Sequence, residues 1–163
     1  MAVELDILLR ISAMESIAGD LQTGTAQHLI DIAAKYTTGT TDLKFDQVWS
    51  DSGTANTTAT IDVLGSKTAA VGGASLSLVE FNGLFIRHNG SANTLTVGAG
   101  SNPMFAGIFG STGDEVVINP GGWFWWHAPN QGAVPVAGTG DIITLTSSSG
   151  SIAYDFLMYG RSA

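Results

Sequence analysis

The side chains that most often bind metals are few and scattered in this chain. The three histidines, His28, His88 and His127, fall on separate predicted strands, so a metal site would require them to converge in the fold. No H-E-x-x-H or other short histidine spacing is present. Cysteine is absent, which removes thiolate ligands and disulfides. The sequence therefore predicts no metal site and no cofactor.

Residues for nucleophilic or acid–base catalysis form no recognisable constellation either. The G-x-S-x-G turn that exposes a catalytic serine is missing. The glycine-rich segment 98–102 lacks the lysine and the following helix that cradle phosphate. Asp114 and Glu115 are adjacent, so on a strand their carboxylates would point to opposite faces. We predict that the chain is not an enzyme, and a small hydrolase or isomerase remains only as an alternative.

The most unusual feature is a run of aromatic residues, Trp123-Phe124-Trp125-Trp126-His127. On a strand, Trp123 and Trp125 would face one side, and Phe124 and Trp126 the other. One side can enter a core, whereas the other needs cover from a loop, a second subunit or a ligand. The run is therefore either buried on both sides in one sandwich, a subunit contact, or a platform on which sugars stack.

Composition narrows the fold class and the possible partners. Charged residues make up only 12% of the 163 residues and glycine contributes 21, a profile typical of short strands and many turns. The formal net charge is −8, and the six basic residues are scattered, so we expect no direct contact with nucleic acid. No stretch approaches the ~20 apolar residues that span a bilayer. We therefore expect no membrane partner.

Apolar residues alternate with period two through much of the chain, which predicts strands with one buried side. Segment 5–11 is the clearest case. Segment 27–36 fits a helix or a strand, and we favour a strand because turn residues follow it directly. Polar turns are expected at 16–25 and 51–57. The other predicted strands are 43–48, 58–63, 76–81, 84–88, 94–97, 115–118, 123–128, 134–137, 141–146 and 152–159.

This pattern predicts an all-β fold: a single-domain, two-sheet β-sandwich over residues 1–163, jelly-roll-like, with about ten short antiparallel strands. Segment 98–113 is the one long irregular stretch, and its apolar residues, among them Phe105 and Phe109, must pack against the core or a neighbouring subunit. Residues 1–25 are predicted to include an N-terminal strand or arm that makes contacts between subunits.

Five short segments, rich in residues that form strands and turns, follow one another in the second half of the chain. They are GLFIRHN at 83–89, NTLTVG at 93–98, NPGG at 119–122, VAGTGD at 136–141 and YDFLMYG at 154–160. In these segments the chain resembles virion structural proteins of tailed bacteriophages, of the jelly-roll type that cements or decorates the capsid. The resemblance covers the second half of the chain. The first forty residues are similar to such proteins only in the general character of their sequence. It implies a protein of the capsid surface, made in the host bacterial cytoplasm, that binds the major capsid protein and copies of itself as a dimer or trimer. It carries no enzymatic residues.

The function expected from the sequence is therefore a non-enzymatic protein that cements or decorates a capsid through protein–protein contacts. The alternative is a carbohydrate- or host-surface-binding module of a phage tail or spike that uses the tryptophans. The residues expected at the subunit or capsid interface are Leu5, Ile7, Leu9, Phe105, Phe109, Trp123, Phe124, Trp125 and Trp126.

Overall fold

The computed structural model describes residues 4–18, 23–65, 77–98, 108, 111, 113–138 and 140–163. Within these ranges the chain forms eight β-strands and no complete helix, so the predicted all-β class is confirmed. The strands are β1 (Leu5–Ala18), β2 (Thr23–Tyr36), β3 (Gln47–Asp62), β4 (Glu80–His88), β5 (Leu95–Gly98), β6 (Glu115–Ile118), β7 (Trp123–His127) and β8 (Ile142–Arg161).

Strands β1 and β2 form a two-stranded antiparallel sheet of their own, which we call the arm. All 14 residues of each strand are paired, from Leu5 opposite Tyr36 to Ala18 opposite Thr23. At a rise of ~3.3 Å per residue the arm is about 45 Å long. It includes β2 and so extends well past the segment 1–25 that the sequence pattern indicates.

The other six strands form one curved sheet, which we call the body. Its order is β6-β5-β8-β4-β7, and β3 pairs with β8 along the opposite edge. Strand β8 is 20 residues long; its first part pairs with β5 and its second part with β4. Strands β6 and β7, at the two ends of this order, touch each other, so the sheet nearly closes on itself.

A bend shared by β3 and β8 produces this curvature. The register of the pair shifts between Asn56 and Thr58, which leaves residues 147–150 of β8 as an insertion. Positive φ angles mark the bend on both strands, 77° at Thr57 and 63° at Gly150. An insertion of this kind bends a strand and increases its twist. The two halves of β3 and β8 consequently belong to two facing layers.

Strand length is where the structure departs from the predicted set of about ten short strands. The polar segment 51–57, predicted as a turn, lies within β3, and the strands predicted at 141–146 and 152–159 are parts of β8. The ends of segment 16–25 likewise lie inside the strands of the arm, and its centre, 19–22, is outside the described residues. In each case hydrogen bonds to a long partner strand outweigh the local preference of polar residues for turns.

Other predicted strands are confirmed or corrected individually. Those at 5–11, 27–36, 115–118 and 123–128 are confirmed. The strand predicted at 134–137 is wrong, because that segment makes only an isolated bridge from Val136 to Gly140.

Two further corrections concern pairing and strand limits. Segment 43–48 becomes a strand only from Gln47 onward, after Leu43 with a φ of 62°. The strand at 94–97 is present as β5 but does not return beside β4; it pairs with β6 and β8 instead. Strands β4 and β5 follow each other closely in the sequence but do not pair, because the long β8 lies between them in the sheet.

The main core fills the inside of the curved body. Alternate residues of the strands enter it, and the insertion in β8 changes the alternation so that Leu145 before it and Ile152 after it both face inward. The buried members are Ala55, Ile61, Val63, Leu78, Phe81, Leu84, Ile86, Leu95, Val97, Ile118, Ala133, Ile143, Leu145, Ile152, Tyr154, Phe156 and Met158.

A smaller second core joins the arm to the outer face of the body. Its buried members are Tyr36 from the arm, Phe45 from the segment between β2 and β3, and Tyr159 from β8. The residues packed around them are Leu5, Ile7, Ala34, Val48 and Leu157. Only the end of the arm nearest these residues is covered by the body.

Candidate interaction site

Strand β7 divides its aromatic residues between the two faces of the sheet, as the alternation predicts. Phe124 and Trp126 pack against the main core, and the ring of Trp126 stacks on that of Phe81 with centroids 5.8 Å apart. In the register with β4, Phe124 lies opposite Ile86 and Trp126 opposite Leu84, both fully buried. These two predicted interface residues therefore face the core side of the sheet, where both are partly buried.

Trp123 and Trp125 lie on the opposite, outer face. Trp123 is 53% exposed and stacks with Phe85 of β4 at a centroid distance of 6.1 Å. Trp125 is half-buried and stacks on His127 with an interplanar angle of 13°. The outward tryptophans thus form a partly covered aromatic surface.

The strand register arranges this outer face in rows that run from β7 across β4 and β8 to β3. One row is mixed aromatic and polar: Trp123, Arg87, Asp155 and Ser52. The next row is mainly apolar: Trp125, Phe85, Leu157 and Ser50. The third row is His127, Gly83, Tyr159 and Val48, and it is the one that the second core covers. The second core therefore covers the outer face of the body most at the third row and least at the first.

Hydrogen bonds hold the covered row together around His127. Trp125 Nε1–H donates to the Tyr159 hydroxyl over 3.4 Å, and that hydroxyl lies 2.7 Å from His127 Nδ1. His127 Nε2 lies 2.9 Å from the hydroxyl of Tyr36. Each contact has one donor and one acceptor if the Tyr159 hydroxyl donates to Nδ1 and the Nε2–H of a neutral imidazole donates to the Tyr36 hydroxyl.

Burial agrees with that protonation state. It lowers the pKa of His127 below the usual 6.5, because the charged imidazolium would lose its hydration. Burial also raises the pKa of Tyr159 to about 12. Both groups are thus neutral near pH 7 and act as structural hydrogen-bonding partners that tie the arm to the body.

One face of the arm is apolar from its base as far as Ala13 and Ile30. Because β1 and β2 are in register, the same face carries Leu5, Ile7, Leu9, Ile11 and Ala13 from β1, and Ile30, Ile32, Ala34 and Tyr36 from β2. We call this set the apolar face of the arm. None of these residues is charged; farther toward the tip, the register places His28 opposite Ala13 and Glu15 opposite Ala26 on the same side of the arm. Leu5, Ile7, Ala34 and Tyr36 are covered by the second core, whereas Ile11, Ile30 and Ile32 are about half exposed.

The other face of the arm is polar and carries its described ion pairs. Arg10 donates from Nε to Asp31 across the two strands over 3.1 Å, and Lys35 pairs with Glu4 near the base. Leu8 and Leu29 also lie on this face, scattered among polar neighbours and well exposed. We call it the charged face of the arm. The arm is therefore amphipathic, with its apolar face turned toward the body.

A groove of about 310 Å³ lies between the arm and the outer face of the body. The arm contributes one wall and the aromatic surface the floor. Its lining residues are Ile7, Leu8, Leu9, Phe85, Trp123, Trp125 and Leu157. None of them is charged, although Leu8 belongs to the charged face of the arm and the other two arm residues to the apolar face.

The structure brings together four of the residues predicted at an interface: Ile7, Leu9, Trp123 and Trp125 all line the groove. Leu5 packs in the second core instead. Phe105 and Phe109 lie outside the described residues. The other two, Phe124 and Trp126, pack against the main core as described above.

Sequence reasoning missed Phe85, Leu157 and the apolar residues of β2. Phe85 and Leu157 sit in apolar runs, 84–86 and 156–158, where both neighbours are buried, so nothing in the pattern marks them as outward. Ile30 and Ile32 did alternate in the sequence. Their pairing with Ile11 and Leu9 would have followed from treating β1 and β2 as one hairpin.

The other two histidines considered for metal binding are His88, which has a structural role, and His28, whose side chain is not described. His88 is fully buried, where its Nδ1 accepts a hydrogen bond from the Gly90 amide. His28 lies on β2, far along the chain from the other two, and its side chain is outside what is described. Among the described residues there is no group of three or more histidines or carboxylates that could hold a metal ion.

Arg161 forms a buried polar cluster that the sequence did not indicate. Its side chain is only 2% exposed and donates to Glu80 over 2.7 Å, to Asp42 over 3.0 Å and to the carbonyl of Asn130 over 3.0 Å. Glu80 in turn accepts from the amide of Gly132 and the side chain of Asn82. The cluster fastens the end of β8 to the segments on either side of it.

A comparison of the chain with protein-family models and with curated proteins finds no match. In the described part of the chain, no helix has the length and apolar character needed to cross a membrane.

Proposed function

We propose that this chain is a non-enzymatic structural protein of a tailed-phage virion, which binds the capsid shell and stabilises it through protein–protein contacts. The observation that carries the contact function is the arm. Its apolar face continues past the body, with Ile11, Ile30 and Ile32 left about half exposed. The assignment to a virion rests on the resemblance of the short segments between residues 83 and 160 to phage structural proteins.

The physical reason for a partner is the cost of this exposed surface. Each large aliphatic side chain gains about 1.5–3 kcal/mol when it leaves water completely. A two-stranded sheet without further cover is at best marginally stable. An arm that keeps several such side chains in water therefore gains stability when another protein covers it, which suits a protein that bridges neighbouring subunits.

Co-sedimentation with expanded phage heads tests this function. The purified protein should pellet with the heads and remain in the supernatant without them. Heads to which the protein is bound should also withstand heating better than bare heads, because a cement protein adds contacts between shell subunits. Protein that stays in the supernatant at saturating head concentration would contradict the proposal.

A specific observation also favours a second candidate, a carbohydrate-binding surface. Trp123 is half exposed and lies in one row with Arg87, Asp155 and Ser52. Ser52 donates to Asp155 over 2.8 Å, so the row offers an aromatic ring and, two strands away, a carboxylate held in place by a hydrogen bond; ligand sites commonly combine apolar or aromatic surface with a few fixed polar groups. Glycan-array binding that is lost in Trp123→Ala, with head binding unchanged, would support this second candidate.

A further inference from the structure

We propose that the groove receives the exposed end of the arm of a second copy of this chain, so that two copies exchange arms across their outer faces. The inference deepens the proposed function by naming one partner and one contact, and it rests on that function only for its biological setting. The contact itself is argued from the arm and the groove.

Both halves of such a contact are present in every chain. The groove is an uncharged, mainly aromatic and aliphatic surface whose lining includes Trp123, Phe85 and Leu157. The exposed part of the apolar face of the arm is an aliphatic ridge of Ile11, Ile30 and Ile32, which lies on the base side of Glu15. In a symmetric pair, each copy offers one ridge and one groove, so every exposed apolar element finds a partner.

The groove is also continuous with the contact that the arm already makes. Ile7 and Leu9 line the groove, while Ile7 and Leu5, on the same face of β1, pack in the second core. Apolar contact thus runs without a break from the covered base of the arm into the open groove. An arm from a second copy would extend this layer rather than begin a separate one.

Charge argues for this pairing of surfaces over others. Each copy has a formal net charge of −8, so two copies repel unless the surfaces that meet exclude acidic residues. The apolar face of the arm and the groove lining contain no charged residue, whereas Asp31 lies on the charged face of the arm and Asp51 and Asp155 line the adjacent polar depression. Ile11, Ile30 and Ile32 can meet the groove without bringing carboxylates together, provided that Glu15, farther toward the tip on the same side of β1, stays beyond the contact.

Two neighbouring residues of β2 provide a matched test. Leu29 and Ile30 are each 53% exposed, but Leu29 lies on the charged face of the arm and Ile30 on the apolar face. Light scattering after size-exclusion chromatography should give wild-type protein at least twice the 16.8 kDa of one chain. Ile30→Asp should give the mass of one chain, and Leu29→Asp the mass of the wild type. A wild-type mass of one chain, or equal masses for the two variants, would overturn the inference.

The groove half of the contact is tested through the tryptophans. Trp123→Asp should also give single chains. Mixing it with Ile30→Asp should restore pairs, because an intact arm then meets an intact groove. Arms that pack only on each other would leave Trp123→Asp paired on its own, and that result would overturn the inference. Diluting the wild type should shift its tryptophan emission to longer wavelength as Trp123 becomes exposed, and an unchanged spectrum across the dissociation would count against a role for the groove.

Salt provides a further readout, and head binding separates this inference from the proposed function. Screening of the −8 charge on each copy should make association stronger as salt is raised. A single chain that pellets with heads would refute the exchange of arms while supporting the function. A stable pair that does not pellet with heads would support the exchange of arms and contradict the proposed function.

Discussion

The hydroxyl of Tyr159 lies 2.7 Å from Nδ1 of His127, on the side of that ring opposite the hydroxyl of Tyr36. Tyr159 and His127 belong to the body and Tyr36 to the arm, so the imidazole links the two. Because Tyr36 is also buried against Phe45 with ring centroids 5.0 Å apart, the base of the arm is fixed by both hydrogen bonds and packing. The direction in which the arm leaves the body is set at this point.

Acid should weaken this link. The pKa of His127 is lowered by burial below its unfolded value of 6.5, so between the two values the unfolded chain binds more protons than the folded one. The stability contributed by His127 is complete above pH 6.5 and is lost as pH falls through the folded pKa. Chemical denaturation between pH 7.5 and 5.5 should show a steeper loss for wild type than for His127→Phe. Equal slopes would show that His127 does not titrate in this way.

Tyr159 should produce the corresponding effect in alkali. Burial raises its pKa from 10.0 to about 12, so its contribution to stability is complete below pH 10 and is lost as pH rises toward 12. The wild type should therefore lose more stability between pH 9.5 and 11.5 than Tyr159→Phe does. A phenol absorbance that titrates fully near pH 10 while the protein remains folded would contradict the buried position of this hydroxyl.

Gly83 should tolerate no side chain. A Cβ at this position would overlap the ring of Tyr159, which crosses directly over the glycine in the covered row of the outer face. Gly83→Ala should lower the free energy of unfolding by about 1–3 kcal/mol through overpacking. Gly140→Ala is the control, because the nearest atoms to its Cβ would be 4.0 Å away. If Tyr159→Leu does not reduce the cost of Gly83→Ala in a double-mutant cycle, the overlap is not its cause.

Arg161 should be far more important to stability than an exposed arginine. Arg161→Met leaves the carboxylate of Glu80 partly buried without its charged partner, a change that typically costs about 3–5 kcal/mol. Arg10→Ala removes an arginine whose side chain is 65% exposed, paired with Asp31, and should cost no more than about 1 kcal/mol. Urea denaturation of both variants measures the difference, and similar losses would show that the cluster around Arg161 adds little.

The sequence predicted the division of β7 between two faces because a strand alternates strictly, whatever lies around it. It also predicted the strand at 5–11, whereas an arm within 1–25 that makes contacts between subunits stays a prediction. It could not predict the bend at Thr57 and Gly150. A polar segment looks the same whether it ends a strand or bends inside a long one, and the outcome depends on a partner strand almost a hundred residues away.

The candidate site was predictable only in part, for a related reason. Ile7, Leu9, Trp123 and Trp125 each carry a local signal, but the groove exists because β1 passes beside β4 and β7, which no local pattern encodes. Phe85 completes the floor from the middle of an apolar run in which every residue looks equally suited to the core. The buried Arg161 cluster depends on Asp42, Glu80 and Asn130 converging from separate segments.

The central claim is that the apolar face of the arm holds two copies of this protein together and that the paired copies bind the shell. The most direct measurement is quantitative co-sedimentation of wild type, Ile30→Asp and Leu29→Asp with expanded phage heads at equal protein concentration. These two substitutions introduce the same charge at adjacent residues with equal exposure. We expect wild type and Leu29→Asp to saturate the heads alike and Ile30→Asp to bind at least tenfold more weakly. Equal binding of all three proteins, or binding by none, would contradict the account.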